Sequence, residues 1–344
     1  MEESIGYHVR KSFDEIIYSL EQKDMSQRDR GTLFELIVAA YFKKEPMYAR
    51  LFDEVWMLSD VPEEYGIPKR DTGVDLVARN RETGELFAIQ CKYYSKDTSI
   101  QKAHIDSFLN EVGKSYYAEG IIVTSTDKWS DNANDALLDR DKNIARIGLS
   151  QLRDSEIDWS QFSFEKPQTV ELKSPKQPRP HQIPAIEAVI NGFKEADRGK
   201  LIMAPGTGKT YTSMVIAEKM AEKKDGPFRV LYLVPSIQLL SQSLRGWTAD
   251  SKYRYDMDTF AVCSDRKVTK KVKGENEFED IAAADLGYPA TTDYEKLLER
   301  QKTIDSADSQ SKFLVVFSTY QSIDVIIEAQ KNGFYEFDLV VCDE

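Results

Sequence analysis

The stretch KLIMAPGTGKTYTSMVIAEKMAEK, residues 200–223, decides how this 344-residue chain is read. An apolar run at residues 200–203 predicts a strand, MAPGTGKT at 203–210 a tight glycine-bearing loop, and residues 209–223 a helix. Gly206 and Gly208, with Thr207 between them, stand where a Cβ would obstruct close backbone approach to phosphate oxygens. Lys209 supplies a point charge for the β- and γ-phosphates, and the Thr210 hydroxyl a ligand for Mg2+. Strand, loop and helix in this order predict a site for ATP.

The pattern around the loop is one of alternation. Apolar strands are expected at 230–234, 313–317 and 339–342, with a helix at 237–246, which predicts a parallel, doubly wound α/β sheet. The final strand ends as LVVCDE, a Walker B pattern in which Asp343 would hold Mg2+ and Glu344 would orient the attacking water. Three further segments fall in a meaningful order. PRPHQ places Gln182 as the candidate for the adenine edge, and LVPSIQLLSQ (233–242) and FSTYQS (317–322) are candidate DNA-contacting loops. Alone, each is an ordinary polar loop beside a strand; together they make this part of the chain resemble the first RecA-like lobe of a superfamily 2 helicase. Met203 replaces the first glycine of Gly-x-x-x-x-Gly-Lys-Thr. Residues 264–310 form a charged insertion expected to be partly mobile.

The N-terminal part has a different rhythm. Helices are expected at 5–21, 31–42, 100–112 and 131–138, and strands at 54–58, 74–78, 86–94, 120–124 and 144–149. This order predicts a mixed α/β domain of about 150 residues. EKPQTVELKSPKQPRP, 165–180, is polar and proline-spaced, as a linker is. The expected organisation is therefore a domain at 1–164, a linker at 165–180 and an ATPase lobe at 181–344.

DTGVDLVARN, RETG and ELFAIQCKYY form the second constellation. Strand alternation puts Gln90 and Lys92 on one face, and a tight turn on Glu82-Thr83 would set Asp75 opposite Gln90. A bulge at Gly84 would slip that register by one. Glu35 lies at the edge of the apolar stripe of the preceding helix. Phosphodiester hydrolysis needs a carboxylate on magnesium, a second oxygen ligand, and a cation near the water or the phosphorus. Asp75, the Gln90 carbonyl with Glu35, and Lys92 supply that set. The pattern resembles the PD-(D/E)xK nucleases in their glutamine-bearing, Mrr-like branch, whose later strand and helix GIIVTSTDKWSDNANDAL (120–138) also resembles. Glutamine in place of glutamate implies a weaker metal ligand. On the plainer alternative, Asp75 ends a turn and Lys92 is a solvated strand residue.

Composition is that of an ordinary water-soluble protein, with 41% hydrophobic and 30% charged residues. Neither a secretory leader nor an apolar run of membrane-spanning length is present in the sequence. Cys91, Cys263 and Cys342 are too scattered for a disulfide framework or zinc site, which points to a cytoplasmic protein. A net charge of −12 runs against DNA as a partner, so that expectation rests on the motifs.

An Mrr-like nuclease, a proline-spaced linker and a superfamily 2 motor together resemble the type ISP, single-polypeptide restriction–modification enzymes. The insertion AVCSDRKV…DLGYPATTDYEKL resembles the corresponding part of that family's motor. The resemblance implies a Mg2+-dependent endonuclease coupled to ATP-driven translocation on double-stranded DNA. It also implies a second RecA-like lobe, a methyltransferase and a target-recognition domain in the remainder of a longer chain. Taken alone, the 344 residues are then expected to bind ATP weakly and hydrolyse little. Alternatives are a stand-alone antiphage or repair nuclease–helicase, a nuclease fold that binds DNA without cutting it, and a remodeller-type motor behind an unrelated domain.

Overall fold

A computed structural model of the chain describes residues 12–22, 24–70, 72–138, 140–263, 286–306 and 310–343. Backbone contacts divide it into two units, Met1–Lys173 and Ser174–Glu344. The first is built on a mixed sheet and the second on a parallel one, so the α/β class and the order of the two architectures are as expected.

In the first unit, helix α1 (Phe13–Gln22) precedes α2 (Gln27–Lys44). Ser26 caps α2 by accepting a hydrogen bond from Asp29 N at 3.1 Å. Phe34, Ile37, Val38 and Tyr41 recur at helical spacing and are buried, which holds α2 against the sheet. After α3 (Pro46–Leu51) come β1 (Phe52–Met57), β2 (Leu76–Asn80) and β3 (Leu86–Lys92). Helix α4 (Asp106–Val112), β4 (Glu119–Thr124), α5 (Asp131–Asp135), β5 (Ile144–Ile147) and α6 (Leu149–Arg153) complete the series. The sheet order is β1-β2-β3-β4-β5; the first three strands are antiparallel and β3, β4 and β5 are parallel. β3 is the central strand, buried from Leu86 to Cys91, as a strand covered on both faces must be.

The hairpin between β2 and β3 fixes the register. Asn80 Oδ1 accepts from Glu82 N (2.9 Å) and Thr83 N (3.2 Å), and Gly84 turns the chain at φ 72°. Leu76 then faces Ile89 and Ala78 faces Phe87, so Gly84 introduces no slip.

The segment expected as a linker is shared between the units. Leu172 bridges to Ile157 and Val170 is fully buried in the first unit, whereas Lys176 pairs with Asp250 of the second at 2.7 Å.

The second unit contains α7 (Gln182–Gly192), α8 (Lys209–Ala221), β6 (Phe228–Val234), α9 (Ile237–Asp250), β7 (Met257–Val262), α10 (Tyr294–Ser306), β8 (Phe313–Thr319), α11 (Ile323–Lys331) and β9 (Leu339–Cys342). Its four strands run in the order β7-β8-β6-β9, all parallel. Trp247 of α9 is completely buried against Tyr232, Phe313 and Phe317.

Two expectations need correction. Residues 200–203 form no strand, and Ile202 is 91% exposed. So short an apolar run gains the hydrogen bonds of a strand only from a neighbour, and among the described residues none pairs with it. Within the expected insertion, residues 294–306 form helix α10, with Leu297 and Ile304 packed on the core; residues 264–285 lie outside the described residues. The sequence reading has no counterpart for strand β7 or for helices α3, α6, α7 and α11.

Glu218 of α8 is 7% exposed and accepts hydrogen bonds from Ser251 Oγ (2.7 Å) and Lys252 N (2.8 Å). Burial nevertheless raises its carboxyl above the ordinary carboxylate range. The folded state therefore binds the proton more tightly than the unfolded state, and stability falls as pH rises from the ordinary carboxylate value through the raised one. Glu218→Gln keeps an acceptor for both donors and removes the ionisation. In thermal melts between about pH 4 and 8, the variant should gain on the wild type as pH rises; a gap independent of pH would refute the assignment.

Candidate functional site

The first cluster forms at the end of β3. Gln90 is completely buried, and its Nε2 donates to the Gly73 carbonyl at 2.8 Å. That bond orients the amide and leaves Gln90 Oε1 buried without a hydrogen-bond partner. Asp75 sits just ahead of β2. Its backbone N donates to Ile89 O at 2.9 Å, although Ile89 already faces Leu76, so the ladder steps by one residue at Asp75. The carboxylate takes over the next place in the ladder, Oδ2 accepting from Cys91 N at 2.6 Å. Asp75 is thereby fixed beside Gln90 and Cys91 by both its main chain and its side chain.

Lys92 ends β3 opposite Thr124, and its carbonyl accepts from Ser125 N at 3.0 Å. The buried Cys91 thiol reports on the charges around it. Burial raises its pKa well above the ordinary value; the negative charges of Asp75 and Glu35 add to the rise and Lys92 opposes it. Asp75, Glu35 and Lys92 therefore all lie within electrostatic reach of one point, with Glu35 half-buried on α2. Among the described residues no group of three or more His, Cys, Asp or Glu side chains is placed to hold a metal ion. An amide oxygen such as Gln90 Oε1 and carboxylates such as those of Asp75 and Glu35 are oxygen donors of the hard type that Mg2+ takes.

Sequence reasoning missed Gly73. It has φ +87°, and a Cβ there would meet Ser107 Oγ at 2.7 Å, Gln90 Nε2 at 3.1 Å and Phe108 N at 3.1 Å. Its presence in DTGVD was visible, but nothing local indicates that α4 and β3 close on it.

The second cluster surrounds the glycine loop. Gly206 and Gly208 have φ of 75° and 85°, and Lys209 and Thr210 open α8. Gln182 is 2% exposed behind the loop. Its Nε2 donates to Thr207 O (3.0 Å) and Gly208 O (3.3 Å), and its Oε1 accepts from Arg179 N (2.8 Å). In this structure the amide expected to face adenine is engaged with the loop itself. A Cβ on Gly208 would meet Gln182 Nε2 at 2.6 Å.

Asp343 follows β9. Its N donates to Leu233 O at 2.8 Å, its carbonyl accepts from Tyr320 Oη at 3.1 Å, and its Oδ2 accepts from Tyr232 Oη at 2.9 Å. Glu344, expected to orient water, lies outside the described residues. The two candidate DNA-contacting loops are neighbours because β6 and β8 are parallel and Val234 faces Thr319; Gln321 Nε2 donates to Pro235 O at 3.4 Å. Neither tyrosine stood out in the sequence, where an aromatic in or beside a buried strand reads as core.

Comparison with known proteins finds one family match in each unit. Residues 43–169 match a family described as restriction endonuclease, and residues 175–344 match type III restriction enzyme, res subunit. No curated protein matches the chain. Among solved structures, the ATP-dependent Type ISP restriction-modification enzyme LlaBIII bound to DNA is 50% identical, with a TM-score of 0.81, over 96% of this chain and 20% of that one. A nuclease-deletion mutant of the Type ISP enzyme LlaGI, in complex with a DNA substrate mimic, is 49% identical over 49% of this chain and 15% of its own, with a TM-score of 0.42. The chain thus spans a fifth of the length of the LlaBIII chain. Among the described residues no helix is long and apolar enough to cross a membrane.

The close approach at Gly73 yields a direct test. Gly73→Ala should destabilise the first unit by about 1–3 kcal/mol, because it combines a left-handed backbone with a crowded Cβ. Chemical denaturation measures it; a variant as stable as the wild type would mean that α4 and β3 do not close on this residue.

Proposed function

The chain joins a restriction-endonuclease domain to a helicase-like domain and is similar along almost its whole length to a type ISP restriction–modification enzyme; from this we propose that it is the cutting and motor portion of such an enzyme. Its substrate is double-stranded DNA, cut by the first unit, while the second unit uses ATP to drive translocation. The second RecA-like lobe, the methyltransferase and the target-recognition domain belong, in this reading, to the same enzyme. The observation that carries the cutting half is the buried, unpartnered Gln90 Oε1 beside a doubly anchored Asp75.

Asp75, Gln90 and Glu35 would hold magnesium in the first unit. When bound, the ion supplies Lewis acidity at the phosphate and a more acidic water. The protein's own contribution is orientation. The Gly73 carbonyl sets the Gln90 amide, Cys91 N sets the Asp75 carboxylate, and Lys92 brings a positive charge to a phosphate that gains negative charge during attack. In the second unit, Gly206, Thr207 and Gly208 present backbone to the phosphates, Lys209 neutralises their charge, and Thr210 and Asp343 would hold the nucleotide's magnesium. Gln182 keeps the loop in shape from behind.

A second reading has one specific observation in its favour, the absence among the described residues of a three-member His, Cys, Asp or Glu cluster. On that reading the first unit grips DNA without cutting it. Incubation with supercoiled plasmid and Mg2+ separates the two. If the first unit cuts, the wild type nicks the plasmid, and Asp75→Ala and Lys92→Ala each lower nicking by roughly 10²–10³-fold while DNA binding persists. Binding without any nicking by the wild type would favour the second reading.

The two clusters should also separate in kinetics. In the full-length enzyme, Lys209→Ala should abolish ATP turnover and translocation and leave local nicking intact, and Asp75→Ala should do the reverse. ATP turnover unchanged in Lys209→Ala would remove the motor assignment.

A further inference from the structure

The hydroxyl of Tyr232 lies at the nucleotide cluster, although its ring belongs to the core. Tyr232 is on β6, facing Val341 of β9, and is 1% exposed. Trp247 and Phe317 pack on the ring at centroid distances of 5.2 and 5.7 Å, so it has no room to swing. Its Oη donates to Asp343 Oδ2 at 2.9 Å. The hydroxyls of Thr210 and Ser213 also act on the Tyr232 phenol, which places the first residues of α8 beside the same oxygen.

The main chain of Asp343 is already held at both ends, by Leu233 O and by Tyr320 Oη. What remains to be set is the rotation of the carboxylate. A half-exposed aspartate at a strand end has several rotamers of similar energy, and a ligand whose geometry is strict rewards the one that is held in place. A donor on a rigid ring fixes one oxygen and leaves the other for a ligand.

We propose that Tyr232 is a positioning residue for nucleotide-bound magnesium, its hydroxyl holding the Asp343 carboxylate in the rotamer that faces Thr210. The inference rests on the reading of this cluster as an ATP–magnesium site. It goes beyond that reading by adding a residue outside the glycine loop and the final DE pair. Tyr232 touches neither phosphate nor metal, and it acts through Asp343.

The test measures ADP affinity by calorimetry in this chain, once with Mg2+ and once with EDTA. Tyr232→Phe keeps the ring and its packing and removes only the hydroxyl. Affinity in Mg2+ should fall about five- to tenfold, less than the full worth of one charge-assisted hydrogen bond because the phenol acts through Asp343, and affinity in EDTA should not change. In an Asp343→Asn background the same substitution should cost nothing further. An equal loss with and without the metal would mean that the phenol merely shapes the pocket, and would overturn the proposal. So would undiminished affinity in Mg2+, or an added loss in the Asp343→Asn background. If the wild type bound no ADP in either condition, the nucleotide reading itself would fail, which is distinguishable from a failure of Tyr232 alone.

Discussion

Pairing between neighbouring strands is the constraint on which both clusters depend, antiparallel at Asp75 and parallel elsewhere. A parallel ladder brings the carboxyl ends of adjacent strands to the same edge of the sheet, where the chain leaves in loops and helices. In the first unit Lys92 comes to lie opposite Thr124 at the ends of β3 and β4. In the second, β6, β8 and β9 end together, which places Pro235, Tyr320 and Asp343 within hydrogen-bonding distance of one another's neighbours. Residues far apart in the chain thus come to one edge, where side chains as long as Tyr320 and Gln321 join them.

Within that frame, small backbone irregularities do the chemical positioning. At Asp75 the antiparallel ladder steps by one, and the carboxylate takes the hydrogen bond that a main-chain carbonyl would otherwise accept. At Gly73 a left-handed residue lets α4 and β3 approach so closely that its carbonyl reaches the buried Gln90 amide. An unpartnered acceptor in a protein interior costs roughly 1–3 kcal/mol. Gln90 Oε1 is therefore more than a packing detail, since the neighbouring Gly73 bond prevents the amide from turning to hide it. At the glycine loop the logic is similar: Gly208 leaves space that the Gln182 amide fills from behind.

The two units also use their aromatic residues differently. In the first, Tyr41, Phe42, Tyr48 and Phe52 pack on one another at the base of α2 and α3, and their effect is to hold the helix that carries Glu35. In the second, Trp247 and Phe317 confine a tyrosine whose hydroxyl donates to the Asp343 carboxylate. A tyrosine so placed links core packing directly to the orientation of a carboxylate.

Much of this was legible in the residues alone. Apolar periodicity placed the central strands and helices α2, α8 and α9 to within a few residues, whereas the helix expected at 100–112 begins only at Asp106 and residues 5–11 of the first expected helix lie outside the described residues. MAPGTGKT and LVVCDE stood out because glycine and carboxylate patterns are local. The alternation of β3 likewise put Gln90 and Lys92 on one face. The apolar run at residues 200–203 misled, since a strand needs a neighbour's hydrogen bonds and hydrophobicity does not reveal whether one is there. What only the tertiary structure decided is of that same non-local kind: which backbone closes on Gly73, what the Gln182 amide touches, and that the Tyr232 hydroxyl meets Asp343. Each depends on the meeting of segments far apart in the chain, and no single-residue preference or period encodes such a meeting.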